Sequence, residues 1–343
     1  MRVLHLDGGT EWRGGQKQVF LLHRGLLAAG GDSHVVCASG GPLFEAIERE
    51  LGEVTPWSFR RGGQWFAPRG LQEILDRLQP DILHYHDSRA ANFARVGSAA
   101  KIHTRRVSYP IKWFSRVTKY RPIDLHVGVS ETITRDLRRH FARGASVHSS
   151  IDLVLYRSAR PAGHLGGGAG YDILFVGAYS PQKGIDILLD AFAHLVGSGT
   201  DARLHLCGSG PLEAEVTARI AQLGMGDHVE QYGHQADIAP WYQDADVVVV
   251  PSVDGEGSSG TIKEGIASLK PVIASDIAPN RELVRDRENG FLFPSGDAAA
   301  LAELLAARPV VEREALERAR NSYGAENMVE AYRELYAALL ARG

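Results

Sequence analysis

Short apolar runs alternate with amphipathic stretches from one end of this chain to the other. The run RVLHL at 2–6 predicts a buried strand, and the stretch 16–29 places Val19, Leu22 and Leu26 on one face of a helix. Repeated alternation of this kind implies parallel sheets with right-handed crossovers. We therefore predict an α/β fold, and the length of 343 residues predicts two domains.

A glycine-rich segment separates the two predicted domains. Residues 162–170 read AGHLGGGAG, which cannot form a stable helix or a strand interior and predicts a flexible linker. The pattern predicts an N-terminal Rossmann-like domain over 1–161 and a C-terminal one over 171–322. No strand is expected after the last helix, so we expect residues 323–343 to pack back on the first domain.

Composition narrows the classes of function. The net charge is −3, with 38 basic and 41 acidic residues, so no overall field attracts the chain to nucleic acid or membranes. The two cysteines, Cys37 and Cys207, each follow an apolar run and are expected as reduced, buried thiols. The start MRVLHLDGG lacks the apolar region of a signal peptide, and no run reaches the ~20 residues of a membrane span. We expect a cytoplasmic protein.

The most specific motif is PSVDGEGSSGTIKEGIA at 251–267, where a predicted strand leads into a loop and a helix. Glu256 and Glu264 are eight residues apart on either side of the expected helix start. Backbone N–H groups at a helix N-terminus bind phosphate, and small residues let it come close. A carboxylate at Glu264 can accept hydrogen bonds from a ribose diol. The small residues at the helix start are Ser258, Ser259, Gly260 and Thr261.

Taken alone, this pair of glutamates is better explained by a surface loop and an ordinary helix. The order of the surrounding motifs changes that interpretation. KPVIASDIAPNREL and NGFLFPSGD follow, and VGAYSPQKGIDILLDAF (176–192), LHLCGSGPL and VEQYGH precede. In the first half, Gly14-Gly15-Gln16 forms a glycine-rich loop, and DILHYHD (81–87) ends a strand with histidines.

In this order, the motifs resemble retaining glycosyltransferase family 4, over nearly the whole chain. The resemblance implies the GT-B fold, with two Rossmann-like, doubly wound domains facing a cleft. It implies that Lys183 contacts the donor diphosphate, a role that fits catalysis by fixed cations. It also implies that Glu264 holds the nucleoside ribose and Glu256 the donor sugar. A packed or solvated side chain is the alternative at each position.

The resemblance further implies that His86 is an active-site histidine near the donor sugar, with a packed strand-end histidine as the alternative. His84, two residues earlier, is expected on the other face of the strand. Gly14 and Gly15 would let backbone amides approach the donor. Gly208, in the matching segment LHLCGSGPL, is also assigned to donor binding.

One position departs from the family. An arginine is usual five residues before the lysine, but Ala178 stands there. Arg105, Arg106 and Lys263 are the candidates to replace that cation. No cofactor and no metal are expected: the string Asp244-Ala245-Asp246 directly precedes a predicted strand, and GT-B relatives need no metal there. The motif Gly208-Ser209-Gly210 lacks the third glycine of a dinucleotide-binding fingerprint, which argues against a dehydrogenase.

A basic and aromatic segment suggests where an acceptor binds. Residues 101–121 hold seven basic residues and no acid, interleaved with Trp113 and three other aromatic residues, and 59–70 is similar. A solvated face over an aromatic cluster is an equal alternative. The functional interpretation makes Arg105, Arg106 and Trp113 an acceptor platform for an anionic or lipid-linked saccharide, or a contact with an anionic membrane. Nucleic acid is not an expected partner.

These features predict a metal-independent, retaining transferase that moves a sugar from a nucleotide-sugar donor, UDP-linked or otherwise, to a hydroxyl acceptor. The resemblance implies a cell-envelope glycan, lipopolysaccharide or lipid-linked saccharide as the acceptor. The enzyme is expected in the cytoplasm, with peripheral contact at the inner face of the membrane. Two alternatives stay open. One is a sugar-nucleotide epimerase or phosphorylase on the same scaffold, and the other is a nucleotide-sugar-binding protein without catalysis.

Overall fold

The computed structural model describes residues 1–59, 69–161, 163, 165 and 170–341. These residues form two compact units, one of Met1–Ile151 with Ala325–Gly343 and the other of Asp152–Gly324. Most of the predicted glycine linker 162–170, and most of the basic stretch 59–70, lie outside the described residues.

The first unit is built on a parallel sheet whose described strands have the order β3-β2-β1-β4-β5-β6-β7. Its strands β1 to β7 are Arg2–Asp7, Asp32–Ala38, Thr55–Trp57, Ile82–Tyr85, Ala100–Arg105, Leu125–Gly128 and Gly144–Ser146. Its helices α1 to α5 are Gly14–Ala28, Pro42–Glu50, Arg69–Leu78, Trp113–Ser115 and Glu131–Arg138. A 3₁₀ turn covers Ala90–Phe93 and a π-helical turn Arg116–Tyr120.

The second unit repeats this plan with the described strand order β10-β9-β8-β11-β12-β13, also parallel. Its strands β8 to β13 are Tyr171–Val176, Ala202–Cys207, Val229–Gly233, Val247–Val250, Val272–Ser275 and Phe291–Phe293. Its helices α6 to α13 are Leu153–Ser158, Ile185–Gly197, Glu213–Gln222, Ala239–Asp244, Gly260–Ala267, Ala278–Arg281, Ala298–Ala307 and Arg313–Ser322, with a 3₁₀ turn at Pro181–Lys183. The last helix, α14 (Ala325–Leu340), belongs to the first unit.

Both sheets therefore have the order of a Rossmann-like fold, in which the chain changes direction between the first and fourth strands. The central strands are buried on both faces: β4 and β11 are buried at every residue, as helices on each side of a parallel sheet require. The loops after β1 and β4, and after β8 and β11, meet at the switch point of their own sheet. Ligands of open α/β sheets bind at such points.

Two short strands and one domain boundary differ from the sequence-based prediction. Strands β3 and β7 were not predicted, because three residues are too few to show an alternating pattern. The boundary at 161 was wrong by ten residues, because α6 packs against α9 and α10 and so belongs to the second unit. Helix α14 packs on α1 closely enough that a Cβ at Gly25 would lie 2.4 Å from a methyl group of Val329.

Candidate functional site

The switch point of the second sheet joins two loops through their backbones. The amide of Val253, after β11, donates to the carbonyl of Gln182 in the turn after β8, at 2.9 Å. Gly184 has a φ of 62°, and a Cβ there would lie 2.1 Å from the carbonyl oxygen of Pro251. Only glycine permits this approach, so the KG pair of the sequence motif sets the distance between the loops.

The approach brings together two predicted catalytic residues. The Lys183 ammonium donates to Oε1 of Glu256 at 2.5 Å, and the Ser252 hydroxyl donates to the same oxygen at 2.7 Å. Glu256 is 8% exposed, whereas the Lys183 side chain is 31% exposed. The described contacts of Glu256 thus fall on one carboxylate oxygen, beneath a cation that solvent and ligands can reach.

Helix α10 begins beside this pair. The Ser259 hydroxyl caps the helix by accepting from the Ile262 amide at 3.5 Å, and the Thr261 hydroxyl donates to the Val176 carbonyl at 3.1 Å, which ties the helix to the end of β8. Gly260 is exposed. The first N–H groups of a helix lack intrahelical acceptors, so this end can receive an anion.

Glu264 lies one turn into the same helix. Its Oε2 accepts from the Tyr242 hydroxyl at 2.9 Å, and Tyr156 contributes a second phenol nearby. Burial and the Glu264 carboxylate together raise the pKa of Tyr242, so this phenol stays a donor. The Glu264 side chain is half-buried.

Lys263 is completely buried, and its ammonium donates to the Ser258 hydroxyl at 2.6 Å. Burial lowers the pKa of Lys263 to about 7, although the nearby Glu264 and Glu256 oppose that shift. Ala178, where the family usually has arginine, is exposed. Of the three candidates for the missing cation, Lys263 is the one in the same unit as Ala178.

Replacing Lys263 with methionine is expected to raise the free energy of unfolding at pH 6 by on the order of 1–3 kcal/mol, because it removes a buried charge. The folded-state pKa of about 7 lies below the ordinary lysine value. Between pH 7 and about 10 the unfolded chain therefore binds more protons, and the wild type gains stability with rising pH. The advantage of the variant should shrink over that interval in urea titrations. An advantage that grows with pH would contradict this assignment.

Gly208 has a structural reason to be glycine. Its φ is 152°, and a Cβ there would lie 1.9 Å from the carbonyl oxygen of Gly177. Its amide also donates to the Gly233 carbonyl at 2.8 Å. These contacts do not test the predicted role of Gly208 in donor binding. The backbone conformation and the packing are enough to explain why this residue is a glycine. Asp246 likewise has a structural contact, since it accepts from the Asp172 amide at 2.9 Å.

In the first unit, His86 follows β4 and is 4% exposed. Its Nε2 lies 2.9 Å from Nδ1 of His5, and its Nδ1 lies 3.0 Å from a guanidinium nitrogen of Arg106. The expectation that His84 points to the other face was wrong, because residues two apart on a strand share a face. The rings of His84 and His86 have centroids 3.8 Å apart.

The three histidines His5, His84 and His86 lie close enough for their ring nitrogens to hold a metal ion. Internal hydrogen bonds already use both nitrogens of His84, which face the hydroxyls of Tyr336 and Thr104 at 2.7 Å each. Arg106 adds a positive charge beside the cluster. A cation would have to displace these contacts, so the cluster is better described as a hydrogen-bonded core.

Gly14 and Gly15, predicted to lie in a glycine-rich loop, instead form the start of α1, and the structure leaves room around both. A Cβ at Gly14 would have no heavy atom within 4 Å, and one at Gly15 would meet only Cδ of Arg106, at 3.8 Å. Packing among the described residues therefore does not require glycine here. Arg105 is buried and donates to the Tyr109 carbonyl, which gives it a structural contact at the predicted acceptor platform.

Trp113 and its neighbours form an exposed apolar surface. Trp113 is 71% exposed and Phe114 61%, and Tyr109 and Val117 are also exposed. We call Tyr109, Trp113, Phe114 and Val117 the aromatic surface. The basic residues Lys112, Arg116 and Lys119 are interleaved with it in sequence. Among the described residues, no helix has the length and apolar character needed to cross a bilayer.

Sequence reasoning missed three residues that shape these sites. Ser252 holds Glu256, Tyr242 holds Glu264, and His5 completes the contacts of His86. Each lies on a different element from its partner or in a loop of unpredicted shape. His5 could have been found from the sequence, because it is a histidine on β1 and its partner on the adjacent strand β4 is His84.

Two Rossmann-like units define the GT-B class of fold. Anabaena HepE, solved in complex with UDP and glucose, has this architecture with a TM-score of 0.83 and 18% identity, over 98% of this chain and 100% of that one. At that level of identity the likeness establishes the fold alone.

Sequence comparisons then identify the family. Residues 12–153 match the family described as Glycosyltransferase Family 4, and residues 170–307 match Glycosyl transferases group 1. This chain belongs to the group 1 glycosyltransferases of family 4. The phosphatidyl-myo-inositol mannosyltransferase of Mycobacterium leprae is 31% identical over 66% of this chain and 63% of that protein. The putative glycosyltransferase EpsD of Bacillus subtilis is 27% identical over 79% of this chain and 80% of its own length.

Proposed function

We propose that this protein transfers a sugar, with retention of anomeric configuration and without a metal, from a nucleoside-diphosphate sugar to a hydroxyl acceptor. The observation that carries this proposal is the Lys183–Glu256 pair beside the N-terminus of α10. A cation and a helix N-terminus offer a diphosphate two attractive groups, and the adjoining carboxylate offers hydroxyl groups an acceptor.

In this proposal Lys183 stabilises the charge that develops on the departing diphosphate. In the free protein that ammonium contacts Glu256, so donor binding would redirect part of its charge toward phosphate. Glu256 would then accept from hydroxyls of the donor sugar through its second oxygen. No group here is proposed as a covalent nucleophile. The acceptor hydroxyl would attack the anomeric carbon from the face that the diphosphate leaves, and its proton would pass to the departing phosphate oxygen. Attack on that face yields retention.

Glu264 is proposed to bind the nucleoside ribose. Its carboxylate is half-buried and already held by Tyr242, so its orientation is set before the ligand arrives. Lys263 is proposed as the replacement for the missing arginine. A diphosphate near Ser258 would favour the charged form of Lys263 and offset the burial that disfavours it.

The relatives support the donor and acceptor classes. HepE was solved with UDP and with glucose, and the Mycobacterium leprae relative is named for a mannosyl transfer to a phosphatidyl-inositol. The direct test is a thermal-shift screen with UDP-, GDP- and ADP-sugars, followed by product analysis with the donors that bind. Binding with hydrolysis or transfer supports the enzyme. Binding without turnover in the presence of varied acceptors would instead identify a nucleotide-sugar-binding protein.

We also propose that the aromatic surface contacts an anionic membrane or a lipid-linked acceptor. It borders a cavity of about 610 Å³ whose lining includes Arg116, Arg121 and Arg143. Exposed aromatic side chains with interleaved basic residues suit the boundary between headgroups and acyl chains.

The aromatic surface can be tested with vesicles. The double variant Trp113→Ser with Phe114→Ser is expected to reduce binding to phosphatidylglycerol vesicles tenfold or more, since each ring loses about 1.5–3 kcal/mol of buried apolar contact. Co-sedimentation at low salt measures it. Val310→Ser is the matched control, because Val310 is an exposed apolar residue of the other unit. Equal binding by wild type and the double variant would remove the membrane proposal.

A substitution at Gly14 is expected to affect ligand binding without lowering stability. Gly14→Ala is expected to keep or raise the melting temperature, because alanine fits without a clash and restricts the unfolded chain by about 0.4–1 kcal/mol. Catalytic efficiency should fall, because the methyl group occupies space proposed for a ligand. Gly197→Ala, at an equally open position ending α7, is the control and should keep full activity. Full activity in Gly14→Ala would show that no ligand approaches this glycine.

A further inference from the structure

The histidine predicted to be catalytic has no free ring nitrogen. Nδ1 of His86 lies 3.0 Å from an Arg106 nitrogen, and Nε2 lies 2.9 Å from Nδ1 of His5. His86 is also buried under the ring of His84. A substrate hydroxyl or a sugar ring could reach His86 only by breaking one of these contacts.

Elementary chemistry fixes the direction of each hydrogen bond. A guanidinium only donates, so Nδ1 of His86 must accept and the ring proton sits on Nε2. That proton is donated to Nδ1 of His5, whose own proton then sits on its Nε2. Among the described residues Nε2 of His5 has no partner. Burial first, and then neighbouring charges that include Arg106, lower the pKa of both histidines, which agrees with neutral rings.

Arg106 is the group that this chain of contacts orients. Besides Nδ1, the carbonyl oxygen of His86 accepts from Arg106 at 2.8 Å, so one residue holds the guanidinium at two points. Among the described residues, its Nε has no hydrogen-bond partner and no carboxylate forms an ion pair with its guanidinium. Asp7 and Asp87 lie close enough only to favour its charge. The charge of Arg106 is thus held in place but not directly neutralised.

The surroundings of Arg106 indicate which kind of ligand it contacts. Its Cδ lies beside Gly15, in the first turn of α1, where packing does not require glycine. An arginine next to a helix N-terminus opposes the helix dipole and costs stability in the absence of an anion. Guanidinium groups suit phosphate oxygens, to which they donate in a fixed geometry.

We infer that His86 is a positioning residue that fixes the Arg106 guanidinium, and that Arg106, rather than His86, contacts a phosphate oxygen of a substrate beside Gly15. This inference rests on the proposed function. The phosphate belongs either to the nucleotide-sugar donor or to a phosphorylated acceptor, and the two sources share the same contact.

The experiment uses a matched pair of variants. The amide oxygen of asparagine can take the place of Nδ1 of His86, whereas the amide of glutamine takes the place of Nε2. If His86 acts by holding Arg106, His86→Asn should lose only about threefold in kcat/KM, while His86→Gln should lose about 10–30-fold, the size expected for a misplaced charged hydrogen bond. A direct role for Nε2 at the substrate predicts the opposite order, which would overturn the inference.

The full-length protein with a donor from the thermal-shift screen provides the assay. Arg106→Gln should by itself lose about 10–30-fold, and in that background the two His86 variants should become equal to each other, because a residue that acts through Arg106 has nothing left to position. A difference that persists in the Arg106→Gln background would overturn the inference. An effect on donor hydrolysis without acceptor assigns the phosphate to the donor, and an effect confined to transfer assigns it to the acceptor.

A second readout does not depend on turnover. Two-bond ¹H–¹⁵N correlation spectra of histidine-labelled protein should show His86 and His5 as Nε2–H tautomers at pH 7, and His86→Asn assigns the signal. A charged His86, or an Nδ1–H tautomer, would overturn the inference. Absence of activity in the wild type with every donor would contradict the proposed function. The tautomer of His86 would still test the hydrogen bond between His86 and Arg106, because that measurement needs no turnover.

Discussion

Replacing Lys183 with alanine is expected to lower kcat by about 10²–10³-fold, the usual consequence of removing one preorganised group that stabilises developing charge. The effect should fall mainly on kcat rather than KM, because the charge on the diphosphate grows as the glycosidic bond breaks. Single-turnover kinetics with the preferred donor measure it. Lys183→Arg, which keeps the charge, should recover most of the loss.

Lys183→Ala is also expected to lower the stability of the protein, and this effect must be separated from the loss of kcat. Glu256 is 8% exposed and would lose its cation while keeping the Ser252 hydroxyl, so stability should fall by about 1–2 kcal/mol, less than for a fully buried pair because Lys183 is partly exposed. Adding Glu256→Gln removes the uncompensated charge and should restore that stability. Arg287→Ala, which removes an exposed cation of the same unit, is the control. A loss in kcat of less than tenfold in a well-folded Lys183→Ala protein would refute the leaving-group role.

Replacing Glu264 with alanine is expected to raise the dissociation constant of the nucleotide about 10²-fold, since two hydrogen bonds from a ribose diol to a carboxylate contribute roughly 3 kcal/mol together. Glu264→Gln keeps the shape and one acceptor, so it should lose about tenfold. Calorimetric titration of the bare nucleoside diphosphate isolates this contact from the sugar.

The same variant tests the tyrosines behind Glu264. Removing the carboxylate takes away the oxygen to which the Tyr242 hydroxyl donates at 2.9 Å and should cost about 1 kcal/mol of stability. The pKa of Tyr242, which burial and Glu264 together raise, should fall in ultraviolet titration of the variant. Glu288→Ala, an exposed glutamate of the same unit, is the control. Unchanged nucleotide affinity with a lowered phenol pKa would show that Glu264 has a structural role only.

Much of the site could be predicted because its residues follow strands that the apolar pattern reveals. Lys183, Glu256 and Glu264 all come after β8 or β11, and parallel strands of one sheet present their carboxyl ends at one edge. Strand runs such as Val247–Val250 are continuous and apolar, as strands buried on both faces must be. The predicted family is confirmed by the matches over 12–153 and 170–307.

His86 shows where sequence reasoning stopped. The sequence places a histidine at a strand end, but the direction of a side chain and its partners depend on neighbours that are distant along the chain. His5 is 81 residues away from His86, and the contact with Arg106 spans 20 residues. The strands β3 and β7 were missed for a related reason, since short edge strands exist only through pairing with a neighbour.

The sequence by itself determined the two parallel sheets, the family, and the strand ends that carry the site, because hydrophobic periodicity and loop glycines are local properties of the chain. Tertiary structure alone decided which side chains are free to act. It paired Lys183 with Glu256 and placed His86 between His5 and Arg106. It also buried Lys263, and this burial lowers the pKa of Lys263 to about 7. Burial and pairing depend on packing between distant segments, and they set the charge and the accessibility on which any chemistry at these residues depends.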